Sequence, residues 1–90
     1  ASFSDFVSLL SVKRGKLAIV RVDLPKDSPV IDKQVKDIQW PESSVLLSVL
    51  RQGDVVVPKG DTVLKPGDDV IALTTVGNES QLSNLLAGKL

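Results

Sequence analysis

Val45-Leu46-Leu47-Ser48-Val49-Leu50 is an almost unbroken apolar run; Arg51-Gln52-Gly53-Asp54 follows it, and Val55-Val56-Val57-Pro58 comes next. The first run is too short for most helices and suits a central strand. Its Gly-containing turn brings the valine run back against it, so the two form a β-hairpin that Pro58 ends. The same punctuation continues downstream. Lys59-Gly60-Asp61-Thr62 is a turn, and Val63-Leu64 leads into Lys65-Pro66-Gly67-Asp68, a third turn with Pro and Gly where turn geometry favours them. Asp69–Thr75 (Asp-Val-Ile-Ala-Leu-Thr-Thr) reads as the last strand.

Upstream, Val20, Val22 and Leu24 alternate with Arg21 and Asp23, the pattern of a half-buried strand over Leu17–Leu24. Pro25 ends it, and Lys26-Asp27-Ser28-Pro29 is a loop. Ile31, Val35 and Ile38 recur at helical spacing, which predicts a short helix near Lys33–Ile38 with Asp32 as N-cap. Trp40-Pro41 closes it, because the residue before proline avoids helical dihedrals. Trp40, the single Trp, is expected to cover an edge of the core. At the far end, Asn78 and Gln81 have capping-box spacing, Leu82, Leu85 and Leu86 form a stripe, and Gly88 is a stop, so a helix is predicted near Asn78–Leu86. Phe3, Phe6, Val7 and Leu10 share one face of a leading helix.

The fold class expected is α+β: a small, mainly antiparallel or mixed β-sheet with two or three short helices. Residues 1–15 are expected to be a linker or leading helix and residues 16–90 the domain, a fragment of a larger protein. The core is expected from Val20, Val22, Ile31, Val35, Ile38, Val45, Leu47, Val49, Val70, Ala72, Leu82 and Leu85.

Composition narrows the chemistry. Ninety residues support one modest core. Apolar residues make up 42% of the chain and aromatic ones only 3%, so the core is aliphatic and favours strands. Eleven basic and eleven acidic residues give zero net charge. That is no surplus for neutralising phosphates, so nucleic acid is disfavoured as a partner. Cysteine and histidine are absent, which removes thiolate chemistry, the usual zinc sites and histidine acid–base catalysis. No phosphate-cradling GxGxxG or GxxxxGK[ST] loop occurs. Asp61, Asp68 and Asp69 sit in or beside Gly-containing turns, where an aspartate caps its own backbone, rather than in a metal-ligand pattern. No catalytic residue, metal site or enzyme activity is expected.

Arg51-Gln52-Gly53, then Val57-Pro58-Lys59-Gly60-Asp61-Thr62 and Gly67-Asp68-Asp69-Val70, resemble the hallmark of the TrkA-C domain, the C-terminal domain of regulators of potassium conductance. Leu24–Ile31 and the Trp40-Pro41 passage into Val45–Leu50 resemble its first half. One departure stands out: the family usually has Gly before the Lys that starts the short helix, and here Asp32 precedes Lys33. Arg51, Gly53, Pro58, Gly60, Asp61, Gly67 and Asp68 are expected to be structural. Arg51 and Asp61 are expected to pair, and Gly53, Gly60 and Gly67 to supply positive φ or close approach.

The resemblance implies a regulatory, ligand-sensing or dimerising domain of a potassium uptake or channel protein. It implies a cytoplasmic location at the inner face of the membrane and no membrane insertion. The alternative is a purely structural dimerisation module of a transporter, antiporter or transcription regulator. Any nucleotide would belong to an upstream Rossmann-type domain, and no cofactor is expected in this one. In relatives that sense cyclic di-AMP, the segment after the short helix holds the ligand beside the dimer axis. This assigns Ile38, Gln39, Ser43, Ser44 and Val45 as candidate ligand-binding residues at a homodimer interface. That stretch, Lys36–Val45, has no Arg or Asn and carries Glu42, which would repel a phosphate, so cyclic di-AMP is disfavoured. The aliphatic surface left for the partner is expected from Val30, Ile38 and Val45.

Overall fold

The computed structural model describes Ser4 and residues 16–89. The expected leading helix and its Phe3, Phe6, Val7 and Leu10 stripe lie outside the described residues, Ser4 apart. Four strands, β1 (Leu17–Asp23), β2 (Val45–Arg51), β3 (Asp54–Val56) and β4 (Asp69–Thr75), form one antiparallel sheet in the order β1-β4-β2-β3. After β4 comes the α-helix α1 (Glu79–Ala87). The α+β class and all four strands agree with the sequence reading. The β2–β3 connection is Gln52-Gly53, both at positive φ (52° and 84°), the signature of a type I′ hairpin turn.

Leu82 and Leu86 of α1 are fully buried against Val20, Val49, Val70 and Ala72 on one face of the sheet. Gly88 ends the helix in the left-handed conformation (φ 72°), its N–H and that of Lys89 returning to the Leu85 and Asn84 carbonyls. A Cβ at Gly88 would lie 3.1 Å from the Asp27 carbonyl oxygen, so glycine also lets the helix end approach the 25–29 loop. Asn78 is the N-cap residue, but the expected capping box does not form. Its side-chain Nδ2 donates instead to the Glu42 carbonyl at 2.8 Å, tying the helix start to the loop before β2.

The expected short helix over Lys33–Ile38 is only a single 3-10 turn, Val35–Asp37. The backbone here is committed elsewhere. Asp32 N–H donates to the Leu64 carbonyl, Leu64 N–H to Lys33, Val35 N–H to Thr62 and Lys36 N–H to Gly60. Residues 32–36 therefore run antiparallel to 60–64, and their donors are unavailable to an α-helical ladder. Asp32 is not an N-cap; it adopts φ 63°, the left-handed conformation that glycine takes without strain. Trp40 does cover the core edge, and its Nε1–H donates to the Val35 carbonyl at 3.0 Å.

A β-bulge lies between Leu46 and Ser48. The expected alternation of Val45, Leu47 and Val49 on one face fails there. Leu46 and Val49 join the main core cluster with Leu82 and Leu86, whereas Val45 and Leu47 join Leu73 and Leu17 in a second cluster. Leu47 is half-buried, as are Val22, Ile31 and Leu85. The other expected core residues are buried. Leu24, Val30, Leu46, Leu64, Leu73 and Leu86, outside that expected set, are buried too. Burial of Val30, Ile38 and Val45 within a single chain also means that these three do not supply free aliphatic surface for a partner.

Candidate functional site

Val30 and Ile38 anchor the segment between β1 and β2 in the core, because each is a buried aliphatic side chain beneath it. Between them the chain is held off the sheet by the pairing with residues 60–64, and α1 closes from the other side through Leu85. The space left between is a cavity of about 290 Å³ lined by Pro29, Val30, Lys33, Asp37, Ile38, Gln39 and Leu85. Val30, Ile38 and Leu85 make an apolar floor. Lys33, Asp37 and Gln39 are exposed at the wall and offer one cation, one anion and one amide. An apolar base with a few polar groups at its margin is the usual make-up of a small-molecule site.

Of the five residues assigned from the sequence, the structure brings Ile38 and Gln39 into this cavity and leaves three outside its lining. Ser44 is hydrogen-bonded through Oγ to Thr74 Oγ1 at 2.9 Å. Val45 is buried in the second cluster, and Ser43 is an exposed residue at φ 59°. Sequence reasoning missed Pro29, Lys33, Asp37 and Leu85. Lys33 and Asp37 are visible in the sequence only as the polar side of a helix that is not there, and Leu85 only as core.

The motif residues form a separate, structural centre. Arg51 pairs with Asp68, not with Asp61: Nε donates to Oδ1 at 2.9 Å and Nη2 to Oδ2 at 2.8 Å. Nη2 also donates to the Val63 carbonyl, and Asp68 Oδ2 accepts the Lys65 N–H at 2.9 Å. Asp68 is therefore the cap of the Lys65–Asp68 turn, and Arg51 at the end of β2 clamps that turn to the hairpin. Asp61 stays exposed because its own turn is closed by Thr62 Oγ1, which accepts the Lys59 N–H. Burial pushes the Asp68 carboxyl upward, but the Arg51 hydrogen bonds, the Lys65 N–H and the two nearby cations outweigh it and hold the group below the usual carboxylate range. Gly53 and Gly67 take positive φ, and a Cβ at Gly60 would lie 3.6 Å from Lys36 Cβ.

Among the described residues, a four-stranded antiparallel sheet, one covering α-helix and a cavity beneath the β1–β2 connection define a small α+β domain. Among the described residues no group of three or more Asp or Glu side chains is placed to hold a metal ion, and no helix is long and apolar enough to cross a membrane. A sequence model of the TrkA-C domain matches residues 19–87, and the chain belongs to that family. It is 32% identical over 85 residues to the Trk system potassium uptake protein TrkA of Mycobacterium tuberculosis (strain ATCC 25618 / H37Rv), covering 94% of this chain and 39% of that protein. It is 32% identical over 71 residues to the K(+)/H(+) antiporter NhaP of Alkalimonas amylolytica, covering 79% of this chain and 12% of the antiporter. The chain thus spans about two-fifths of its TrkA relative and far less of the antiporter. The fold is shared with the C domain of the potassium transport protein KtrA solved with cyclic di-AMP, at TM-score 0.65 and 13% identity, covering 90% of this chain and 92% of that one. It is shared also with the GsuK channel bound to NAD, at TM-score 0.66 and 18% identity, covering 96% of this chain and 17% of the channel chain.

Proposed function

We propose that this domain is the effector-sensing and dimerising regulatory module of a potassium-transport protein, that it works from the cytoplasmic side, and that it carries no catalytic activity. Membership of the TrkA-C family carries the reading, since the TrkA relative is a potassium uptake protein. The cavity at Ile38 and Gln39 supports the sensing part. A ligand there would touch the β1–β2 connection and α1 together, so it favours whichever arrangement of the two fits it best. Regulation follows if the attached transport machinery differs in that arrangement between its states, because a ligand shifts an equilibrium only by its differential affinity.

The effector we favour is small and amphipathic, with an apolar body and a polar edge able to meet Gln39, Lys33 and Asp37. Cyclic di-AMP fits less well. Asp37 at the wall and Glu42 five residues on both oppose a phosphodiester, and Lys33 is the one cation among the lining residues. The test is a titration of the isotope-labelled domain with cyclic di-AMP, NAD and the adenine nucleotides, read by amide and methyl shifts. A ligand that moves Lys33, Ile38, Gln39 and Leu85, and that Gln39→Ala weakens about tenfold, the loss of one well-made polar contact, is the expected result. Saturable binding that leaves these four unmoved would remove the cavity from the reading. Absence of any binding with dimerisation intact would favour the purely structural module.

A further inference from the structure

The cavity of about 290 Å³ between the β1–β2 connection and α1 is small for a ligand site. At the roughly 30 Å³ that a water takes in the liquid, it holds on the order of ten non-hydrogen atoms. Its apolar lining is aliphatic: Pro29, Val30, Ile38 and Leu85. Among the described residues that lining has no aromatic side chain, so no ring face is offered to a nucleobase or a nicotinamide. The polar lining is Lys33, Asp37 and Gln39, one cation, one anion and one amide, with no net charge. All three are exposed, and among the described residues their side chains enter no hydrogen bond. The ion pairs of the described residues lie elsewhere, at Arg21–Asp69, Arg51–Asp68 and Lys65–Asp32. On an α-helix Lys33 and Asp37, four residues apart, would be neighbours and would satisfy each other. Here Lys33 belongs to the stretch bonded to Leu64 and Asp37 to the 3-10 turn, and the two charges stay separate at the cavity wall.

We infer that the ligand of this cavity is a small aliphatic zwitterion, a free α-amino acid with a branched alkyl side chain. The inference rests on the sensing role proposed above and names the class of molecule sensed. An anionic ligand gains from Lys33 and is opposed by Asp37, and a cationic ligand meets the reverse. A molecule that carries both charges at one end gains from both. Its carboxylate accepts from Lys33 Nζ, and its ammonium donates to the Asp37 carboxylate, each a charge-assisted hydrogen bond. The Gln39 amide, with a donor and an acceptor, serves either group. The alkyl tail leaves water for Val30, Ile38 and Leu85. Size agrees as well: a leucine-sized molecule fills this space, whereas a dinucleotide overfills it. Both charges stand at the solvent edge, where each contact is weak, so the dissociation constant is on the order of 1 mM.

The test titrates the isotope-labelled 90-residue chain with L-leucine and with its two halves. Isocaproate lacks the ammonium, and isoamylamine lacks the carboxylate. L-leucine is expected to move the Lys33, Asp37, Ile38 and Leu85 signals, and each half to bind about tenfold more weakly, the loss of one charge-assisted contact. Lys33→Gln should weaken L-leucine about tenfold and leave isoamylamine unchanged. Asp37→Asn should weaken L-leucine likewise and spare isocaproate. Both positions are exposed, so the methyl signals of Val20, Ala72 and Leu82 in the core report that each variant stays folded. Either half binding as tightly as L-leucine would overturn the inference. So would L-leucine that moves none of the four residues up to about 10 mM, ten times the expected dissociation constant. In both cases the wild-type chain decides without any variant. Cyclic di-AMP, NAD or an adenine nucleotide that still moves the cavity residues would then leave the sensing role standing with another ligand class, and silence from every ligand would remove both.

Discussion

Asp68 holds three things together with one carboxylate. It accepts two hydrogen bonds from Arg51 and one from the Lys65 backbone, and its side chain is 1% exposed. A buried carboxylate is tolerable only when its lone pairs are filled and its charge is matched, and here both hold. Asp68→Asn keeps the shape but removes the charge and leaves Arg51 facing an amide. The expected cost at neutral pH is about 2–3 kcal/mol, below the roughly 3–5 of a fully buried pair because Arg51 is a third exposed. Because the folded carboxyl titrates below its unfolded value, the stability it contributes is fully present above about pH 4 and is lost as pH falls through the folded value. Urea midpoints of wild type and Asp68→Asn at pH 7 and pH 2–3 check this: the gap should narrow in acid. A gap of constant size would mean that Asp68 acts through shape alone. Asp32 shows the limit of reading one residue at a time. Next to a presumed helix an aspartate reads as a cap, and only the backbone pairing with Leu64 reveals a position that wants left-handed dihedrals.

Elements were legible where their causes are local. Gly53 turns the hairpin, Pro58 ends it, and Gly88 stops the helix, each through its own dihedral preference. They were illegible where the cause is distant. The 32–36 segment loses its helix to hydrogen bonds with residues 60–64, and Asn78 gives up its cap to Glu42. The bulge in β2 is of the same kind. Nothing in Val-Leu-Leu-Ser-Val-Leu says where the extra residue falls, since Val70 and Ala72 of β4 decide which neighbours they accept. The cavity was half legible for the same reason: Ile38 and Gln39 lie on one segment, whereas Leu85 reaches it only through the tertiary fold. The bulge carries a mutational test. Leu46→Ala, buried in the main core, should cost about 3–4 kcal/mol, within the usual range for a buried leucine. Leu47→Ala, half-buried in the second cluster, should cost about 1–2 kcal/mol. Urea unfolding with a shared m-value measures both, and a reversed order would place the bulge elsewhere.

At the scale of the whole molecule, the homodimer expected of this domain needs a surface other than Val30, Ile38 and Val45, which the fold has already buried. The candidate is the β2–β3 hairpin. β3 is an edge strand, and Val55 within it and Val57 just beyond its end are 66% and 71% exposed. An uncovered aliphatic edge invites pairing with another strand, and pairing with its own copy about a two-fold axis satisfies both edges at once. The hairpin also runs on through Pro58 to Gly60, which lies against Lys36, the neighbour of Asp37 in the cavity wall. An interface here would put both cavities near the axis, where an effector could bias the dimer. A stable interface takes about 800 Å² from each partner, roughly one-seventh of the 5674 Å² surface of the chain. Sedimentation equilibrium at tens of micromolar, a concentration suited to a micromolar dissociation constant, should give twice the 9.6 kDa chain mass. Val57→Asp would set two carboxylates near each other across the axis and should return the sample to the single-chain mass with the chain still folded, since the exposed Val57 contributes little to the core; its melting temperature should lose only the concentration-dependent part that the dimer supplies. A dimer indifferent to Val57→Asp would move the interface off the hairpin. A wild-type mass of one chain would remove the dimer and leave the cavity to act within a single copy.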